Sequence, residues 1–284
     1  MPGPAKRSEE PHTMTPQNPT RHVFRFFGSR VTDSLWRLDD AEAHHALKVL
    51  RLPPGEAVEV MDGMGAVARG TLKPTGKESA DVDVIESRTE PAEPAGLELA
   101  MGALKPGDLD EILPALVELG MTRISIFINE QSGKSRVAEK SLDRWQRIID
   151  ASVKQSKRCW RPAIATYGSM EEWLLDHRAL NRPAGEVRWI FAEPGLDGDG
   201  GTGKTTPAVT ALTMAVGHAQ RPFTAPPPST IGLVGSEKGF SPSEVRAALD
   251  AGFFPVSLGP HVLRARTAAI AAATMLAMAG HAPR

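Results

Sequence analysis

Two glycine-containing loops towards the C-terminal end of the chain have the composition of a ligand-binding site. The first, Gly235–Gly239 (GSEKG), follows an apolar strand predicted at Ile231–Val234, and the second begins at Gly259, after a strand predicted at Phe254–Leu258. In open α/β sheets ligands bind at the carboxyl ends of strands, and glycine lets a ligand approach the backbone amides closely. The pattern indicates a neutral or zwitterionic ligand that is recognised mainly by main-chain hydrogen bonds.

Another candidate ligand loop is Gly198–Thr205 (GDGGTGKT), which matches the phosphate-binding pattern G-x-x-x-x-G-K-[ST]. A true phosphate loop follows a strand directly and opens a helix, whereas here Glu193–Asp197 intervenes after the strand predicted at Val187–Ala192. No later apolar strand ends in a magnesium-binding Asp. The sequence therefore favours a flexible Gly/Thr-rich insertion over a nucleotide site.

Positive charge is concentrated in residues 134–161. This segment holds nine Lys or Arg residues against three acids, a local excess of six charges in a chain whose net charge is −1. Such a segment can contact nucleic-acid phosphates, and the alternative is a solvated helix face. A second basic surface is predicted from Arg25, Arg30, Lys48 and Arg51.

The elements that must position these residues divide the chain in two. Residues 1–20 are predicted to be a disordered tail, and residues 21–90 a small β-barrel built from short strands separated by turns. From residue 96 to residue 284 strands alternate with helices, which predicts an α/β domain with a mostly parallel sheet. A flexible insertion is expected at about residues 196–229 of this domain.

Several helix ends can be placed from capping residues. Asp108 is predicted to N-cap a helix with Glu111, and Pro114 to kink that helix. The run Ser241–Glu244 (SPSE) predicts a capping box with proline at the first helical position. Thr267 is predicted to cap a last helix that is apolar nearly all round and therefore buried, with a subunit interface as one possibility.

Composition excludes other classes of protein. The 284 residues are 41% hydrophobic and 24% charged, which is ordinary for a globular protein. The one cysteine, Cys159, excludes a disulfide within the chain and fits a reducing, cytoplasmic compartment. No apolar run reaches the length of a membrane span, and no metal site is predicted.

Five motifs in order resemble one family. The two segments IGLVGSEKGFSPSEV and VSLGPHVLRARTAAIAA resemble the C-terminal signature of the ribosomal RNA uridine-N3 methyltransferases, which belong to the SPOUT superfamily. HALKVLR, from His45 to Arg51, resembles a motif of the family's N-terminal barrel, and Arg25–Phe27 its opening strand. The stretch from Lys105 to Gly120 and that from Trp145 to Pro162 match in order as well.

The resemblance implies a fold and an activity. The expected fold is a C-terminal trefoil-knotted SPOUT methyltransferase domain with an N-terminal PUA-like barrel. The expected cofactor is S-adenosylmethionine, held in the knot, and the expected reaction is methylation at N3 of a uridine in small-subunit ribosomal RNA. A homodimer is implied as well, because SPOUT enzymes usually dimerise through the knotted region.

Site residues follow from the matching positions. Arg264 is expected either to stabilise a uracil anion or to form a salt bridge that pins the knot. Glu237 has two candidate roles, as the base or as a carboxylate that holds a loop amide or a ribose hydroxyl. The expected cofactor-binding residues are Glu193, Gly235, Glu237, Gly239, Leu258, Gly259, Leu263 and Thr267. The expected RNA-binding residues are Arg25, Lys48, Arg51, Lys154, Gln155 and Arg158.

Three positions depart from the family pattern. Ser236 and Lys238 replace residues of its G-P-E-G-G loop, and Arg266 replaces an acidic residue. A lysine beside a sulfonium ligand crowds and repels it, unless its side chain points to solvent or to an RNA phosphate. These departures motivate an alternative hypothesis, a catalytically impaired RNA-binding protein on the same fold.

Overall fold

The computed structural model describes most of the chain. The described residues are 23–91, 96–128, 139–179, 186–192, 206–207, 210–211 and 229–280. Four sequence predictions lie outside them: the tail at 1–20, Glu193, the loop Gly198–Thr205 and nearly all of the insertion at 196–229.

The N-terminal part of the described chain is a closed barrel of five strands in the order β1-β2-β5-β4-β3. The strands are β1 Phe24–Thr32, β2 Leu35–Leu38, β3 Ala57–Met61, β4 Ala66–Pro74 and β5 Ala80–Thr89. Parallel pairing of β1 with β3 closes it. Its core is formed by alternate strand residues such as Val58 and Val60, with Trp36. Between β2 and β3 lies a short helix, α1 (Asp40–His44), which continues as a π-helical turn, His45–Val49.

The rest of the described chain is built on a sheet of seven parallel strands in the order β10-β12-β9-β11-β6-β7-β8. The strands are β6 Leu97–Gly102, β7 Arg123–Phe127, β8 Ala163–Tyr167, β9 Val187–Phe191, β10 Thr206–Pro207, β11 Thr230–Val234 and β12 Phe254–Ser257. The central strands β6 and β11 are buried along their whole length, as expected for a parallel sheet covered on both faces.

Helices cover both faces of the sheet. They are α2 Pro106–Glu118, α3 Glu139–Gln155, α4 Met170–Ala179, α5 Pro242–Asp250 and α6 Ala265–Gly280. Residues of α2, α3 and α6 share one core cluster with the sheet, whereas residues of α4 and α5 belong to a second cluster. The predicted barrel and the predicted α/β unit are therefore both present, and the final helix is largely buried as expected.

Helix ends confirm some predictions and correct others. Ser241 accepts a hydrogen bond from the Glu244 amide and completes the predicted capping box. Asp108 is not the N-cap: that residue is Lys105, three positions earlier, because Pro106 fits the first helical position. The helix runs through Pro114 without a break. Thr267 is not a cap either, since α6 begins at Ala265.

The barrel is joined to the sheet by the segment that follows α3. Met64 and Trp160 form an antiparallel bridge, and the Gly65 amide donates a hydrogen bond to the Cys159 carbonyl. The Arg161 guanidinium lies 4.1 Å from the centre of the Phe27 ring, which belongs to the barrel. These contacts place the sole cysteine in a buried joint, where its thiol is free.

A buried polar network lies between the sheet and α4. Glu98 accepts hydrogen bonds from Ser125 Oγ at 2.6 Å and from Trp173 Nε1 at 3.0 Å, and its other oxygen lies 2.7 Å from His177 Nε2. His177 Nδ1 lies 3.0 Å from the Trp173 carbonyl. Because both ring nitrogens face acceptors, this geometry favours the doubly protonated, charged imidazole. Burial lowers the pKa of His177, but the Glu98 hydrogen bond and charge, with the Trp173 carbonyl, outweigh it, so the pKa is raised above 6.5.

This network predicts a pH-dependent stability. A pKa raised above the unfolded value of 6.5 contributes stability that is present below pH 6.5 and is lost as pH rises through the folded-state pKa. In urea unfolding, the free energy of unfolding of the wild type is therefore expected to fall, relative to Glu98→Gln, as pH rises above about 6.5. Glutamine can bond the same neighbours with a neutral imidazole, so this variant lacks the ion pair. Parallel pH profiles for the two proteins would contradict the assignment.

Candidate functional site

A cleft opens at the carboxyl ends of the neighbouring strands β9 and β12. Its volume is about 330 Å³ when the open solvent at its mouth is included. The loop after β12 contributes Leu258, Gly259 and Leu263, and the end of β9 contributes Phe191 and Ala192. Three of the predicted cofactor-binding residues are therefore brought together in one largely apolar cleft.

Gly259 has a backbone conformation that other residues rarely adopt. Its φ is +150°, and a Cβ built on it meets nothing within 4 Å among the described residues. Ser257 closes this turn locally: its hydroxyl donates to the Gly259 carbonyl at 2.9 Å and accepts from the Gly259 amide at 3.4 Å. The missing side chain leaves the backbone open to a ligand in the cleft.

The first glycine loop lies at the end of the adjacent strand β11 and leans towards β6. Gly235 has no room for a side chain, because a Cβ would lie 2.7 Å from the Gly239 carbonyl carbon. Gly239 has a φ of +73°, and its amide donates to the Ser236 carbonyl. The loop is thus a tight, bridged turn in which both glycines are needed for geometric reasons.

The two charged residues of this loop point away from its interior. Glu237 Oε1 accepts a hydrogen bond from the Lys105 amide at 3.3 Å, at the start of α2. The Lys238 side chain is exposed. The contact of Glu237 corresponds to one of its two candidate roles, that of a carboxylate which holds a backbone amide. The exposed side chain of Lys238 corresponds to the orientation towards solvent considered from the sequence.

Arg264 and Thr267 lie beyond the cleft lining. The Arg264 side chain is exposed and forms no ion pair with any described residue, so the salt bridge considered for it is not found there. Thr267 is exposed on the first turn of α6, whereas Ala268 lines the cleft. The sequence interpretation missed Phe191, Ala192 and Ala268, although the end of a predicted strand pointed to the first two.

The predicted RNA-binding residues fall into two groups. Arg25 is 6% exposed; it pairs with Glu59 at 2.8 Å and donates to the Arg158 carbonyl at 3.3 Å. Lys154 pairs with Glu42, and Arg158 donates to two carbonyls at the end of α2. Arg25 and Lys154 therefore join the barrel to the α/β unit, and the Arg158 side chain joins the segment after α3 to the end of α2 and the residues that follow it. RNA contact by these three residues is not supported by the geometry. The exposed group is Lys48, Arg51 and Gln155.

The described residues contain no group of three or more His, Cys, Asp or Glu side chains that could hold a metal ion. Within the same residues, no helix is long and apolar enough to cross a membrane.

Comparison with known proteins identifies the protein family that has this architecture. An RNA methyltransferase domain profile matches residues 91–277, and an RNA methyltransferase PUA domain profile matches residues 38–85. Ribosomal RNA small subunit methyltransferase E of Synechocystis is 28% identical over 84% of this chain and 71% of its own.

Solved structures give the same result. A crystal structure of ribosomal RNA small subunit methyltransferase E from Neisseria gonorrhoeae bound to S-adenosyl methionine matches with a TM-score of 0.69. It is 26% identical, and the match covers 89% of this chain and 95% of that one. A Legionella pneumophila methyltransferase structure has the same fold, with a TM-score of 0.71, 22% identity, and coverage of 90% and 97%. The predicted PUA-like barrel and methyltransferase sheet are thereby confirmed.

Proposed function

Because the chain belongs to the RNA methyltransferase family, whose domain it carries at residues 91–277, we propose that it methylates N3 of a uridine in small-subunit ribosomal RNA, using S-adenosylmethionine. The observation that carries this proposal is the cleft at the ends of β9 and β12, which presents the open backbone of Gly259. The similarity to a relative crystallised with S-adenosyl methionine supports the choice of cofactor.

The residues of the cleft fit this cofactor. Leu258, Leu263 and Phe191 would offer apolar surface to the adenine ring, and the Gly259 carbonyl, which has a second lone pair besides the one bonded to Ser257, would accept from its polar edge. The sulfonium of the bound cofactor supplies a methyl group that is already activated, so no metal is required. Gly235 and Gly239 shape the neighbouring loop, and Glu237 holds that loop through the Lys105 amide.

The uridine carries a proton at N3, which must pass to solvent water at the open mouth of the cleft before the nitrogen can accept a methyl group. Arg264 is exposed beside the cleft, and we assign it the stabilisation of the uracil anion that results. A guanidinium suits this role because it stays charged and offers several donors to the uracil oxygens. Rate acceleration then depends on holding N3 in line with the methyl group and on the positive charge beside the anion.

Calorimetric titration of the purified protein with S-adenosylmethionine, with ATP–Mg as the control ligand, tests the proposal. Micromolar binding of S-adenosylmethionine alone is the expected result, followed by mass spectrometry of ribosomal RNA methylated in vitro. A folded protein that binds neither ligand would instead be an RNA-binding protein without catalysis, and binding of ATP alone would favour the phosphate-loop hypothesis.

RNA is proposed to bind at the exposed cations that follow two helix ends. Arg51 follows the π-helical turn with a φ of +52°, and Lys157 follows α3 with a φ of +59°. Both side chains are exposed, as are those of Lys48 and Gln155. Glycine adopts such a φ without strain, so an arginine or lysine at either position costs backbone energy.

The double variant Arg51→Gly with Lys157→Gly removes two positive charges and relieves the backbone strain at both positions. The effect of charge is read from RNA binding, and the effect of strain from stability. The double variant is expected to reduce RNA affinity and to lower the salt dependence of binding by about two counterions, because two phosphate contacts are lost. Its unfolding free energy should stay within about 1 kcal/mol of the wild type, since strain is relieved as flexibility increases. Fluorescence titrations at several salt concentrations measure both terms. Lys77→Gly, which removes an exposed lysine between β4 and β5, is the control for the loss of a surface charge. An unchanged salt slope in the double variant would refute the assignment.

Three further properties are proposed with the family. We assign the barrel to residues 21–90 and the methyltransferase domain to residues 96–284, the latter with a trefoil knot. A homodimer through α6 is supported by Ile270 and Met278, which are 38% and 53% exposed two turns apart on one side of the helix. Light scattering measures the assembly. A ribosomal RNA substrate and a free cysteine support a cytoplasmic location.

A further inference from the structure

The first turn of α2 is contacted by the first glycine loop and by a residue that follows the second glycine loop. Lys105 is its N-cap residue, and no side-chain capping bond is formed there within the described residues. The Lys105 amide instead donates to Glu237, in the first loop. One turn of helix is therefore joined to the loop after β11.

The acid that would normally fill this capping role points elsewhere. Asp108 is the third residue of α2, the position whose carboxylate binds the N-cap amide in a capping box. Asp108 lies 3.4 Å from Arg266, at the second residue of α6, and Arg266 also pairs with Glu111. The two contacts replace a capping box. Glu237, from the first glycine loop, binds the N-cap amide, and Asp108, the carboxylate of the helix itself, binds Arg266 beside the second loop.

We propose that Arg266 is a positioning residue, which with Glu237 ties both glycine loops to the first turn of α2 and thereby sets cofactor affinity from outside the cleft. This inference rests on the proposed function. Arg266 lies between Leu263 and Ala268, which line the cleft, and its side chain is turned away towards α2. Fixing Arg266 therefore fixes the loop that carries Gly259.

The charge at this position is what makes the tether work in this chain. An acidic residue, as in the family pattern, would face Asp108 and Glu111 and repel both. Arg266 is 37% exposed, and partly exposed ion pairs contribute little to global stability because water screens them. Its loss should consequently change the order of the loop and the binding of the cofactor more than it changes the melting temperature.

Two measurements on Arg266→Ala and Arg266→Glu test the tether. In the ligand-free protein, amide hydrogen exchange of residues 258–264 is expected to become faster. In calorimetry, the dissociation constant for S-adenosylmethionine is expected to rise about five- to tenfold in Arg266→Ala and further in Arg266→Glu. The double variant Arg266→Glu with Glu111→Arg restores opposite charges and is expected to recover most of the affinity. Arg69→Ala, which removes a surface ion pair on the barrel, is the matched control.

The outcomes separate this inference from the function on which it rests. Unchanged exchange and unchanged affinity in a folded Arg266→Ala protein would overturn the tether while leaving the methyltransferase assignment in place. Loss of affinity without recovery in the charge-swapped double variant would overturn the ion-pair explanation. If the wild type fails to bind S-adenosylmethionine, the proposed function fails, and the exchange experiment still decides whether Arg266 holds the loop.

Discussion

Replacing Gly259 by valine is expected to abolish S-adenosylmethionine binding at concentrations where the wild type is saturated, a loss of at least about a hundredfold in affinity. A branched side chain cannot adopt a φ of +150° without strain, and its Cβ projects into open space at the cleft. The turn would shift, and the added methyl groups would occupy the region where the ligand meets the backbone. Calorimetric titration measures the effect.

A valine at a second glycine with a positive φ, outside the cleft, separates the effect of backbone strain from the effect on cofactor binding. Gly55 lies in the barrel with a φ of +82°, and a Cβ there also meets nothing within 4 Å among the described residues. Gly55→Val is expected to cost about 1–3 kcal/mol of stability for the same reason as Gly259→Val, while cofactor affinity stays unchanged. Wild-type affinity in Gly259→Val, with the control behaving as expected, would remove Gly259 from the cofactor site.

Replacing Glu98 by alanine is expected to destabilise the protein by about 3–5 kcal/mol. The truncation leaves His177 Nε2 and the Ser125 and Trp173 donors without their partner, all in a buried setting. The imidazole can lose its proton, but the three buried polar groups left without a partner each cost about 1–3 kcal/mol. For a chain of this size, the melting temperature should fall by about 6–15 °C.

The neutral isostere provides the control for Glu98→Ala. In Glu98→Gln the amide oxygen can accept from Ser125 and Trp173, and the amide nitrogen can donate to a neutral His177. This variant is expected to retain most of the stability near neutral pH, measured by thermal and urea unfolding. Glu90→Ala, which removes the exposed ion pair with Arg88, should cost about 1 kcal/mol or less. Equal losses in Glu98→Ala and Glu98→Gln would show that the charge, and not the hydrogen-bonding pattern, holds this region.

The local sequence determined much of the fold. The capping box at Ser241 and Glu244 formed as predicted, because its hydrogen bonds join residues three apart in the chain. The strands before both glycine loops were recognisable from their apolar runs, and the motifs indicated the family that the domain profile later confirmed. Strand β8 and helix α4 were missed, since their residues carry weak periodicity and their burial comes from packing on the sheet.

Only the tertiary structure shows which side chains far apart in the sequence form ion pairs and hydrogen bonds with each other. A positive charge at Arg25 or Arg158 is visible in the sequence, but the acceptors that turn those side chains inward lie on other elements. The same holds for Asp108, which local rules assign to a helix cap and which the fold pairs with Arg266, more than 150 residues later. Short-range hydrogen bonds can be predicted from spacing, whereas the pairing of charges depends on which elements the sheet order brings together.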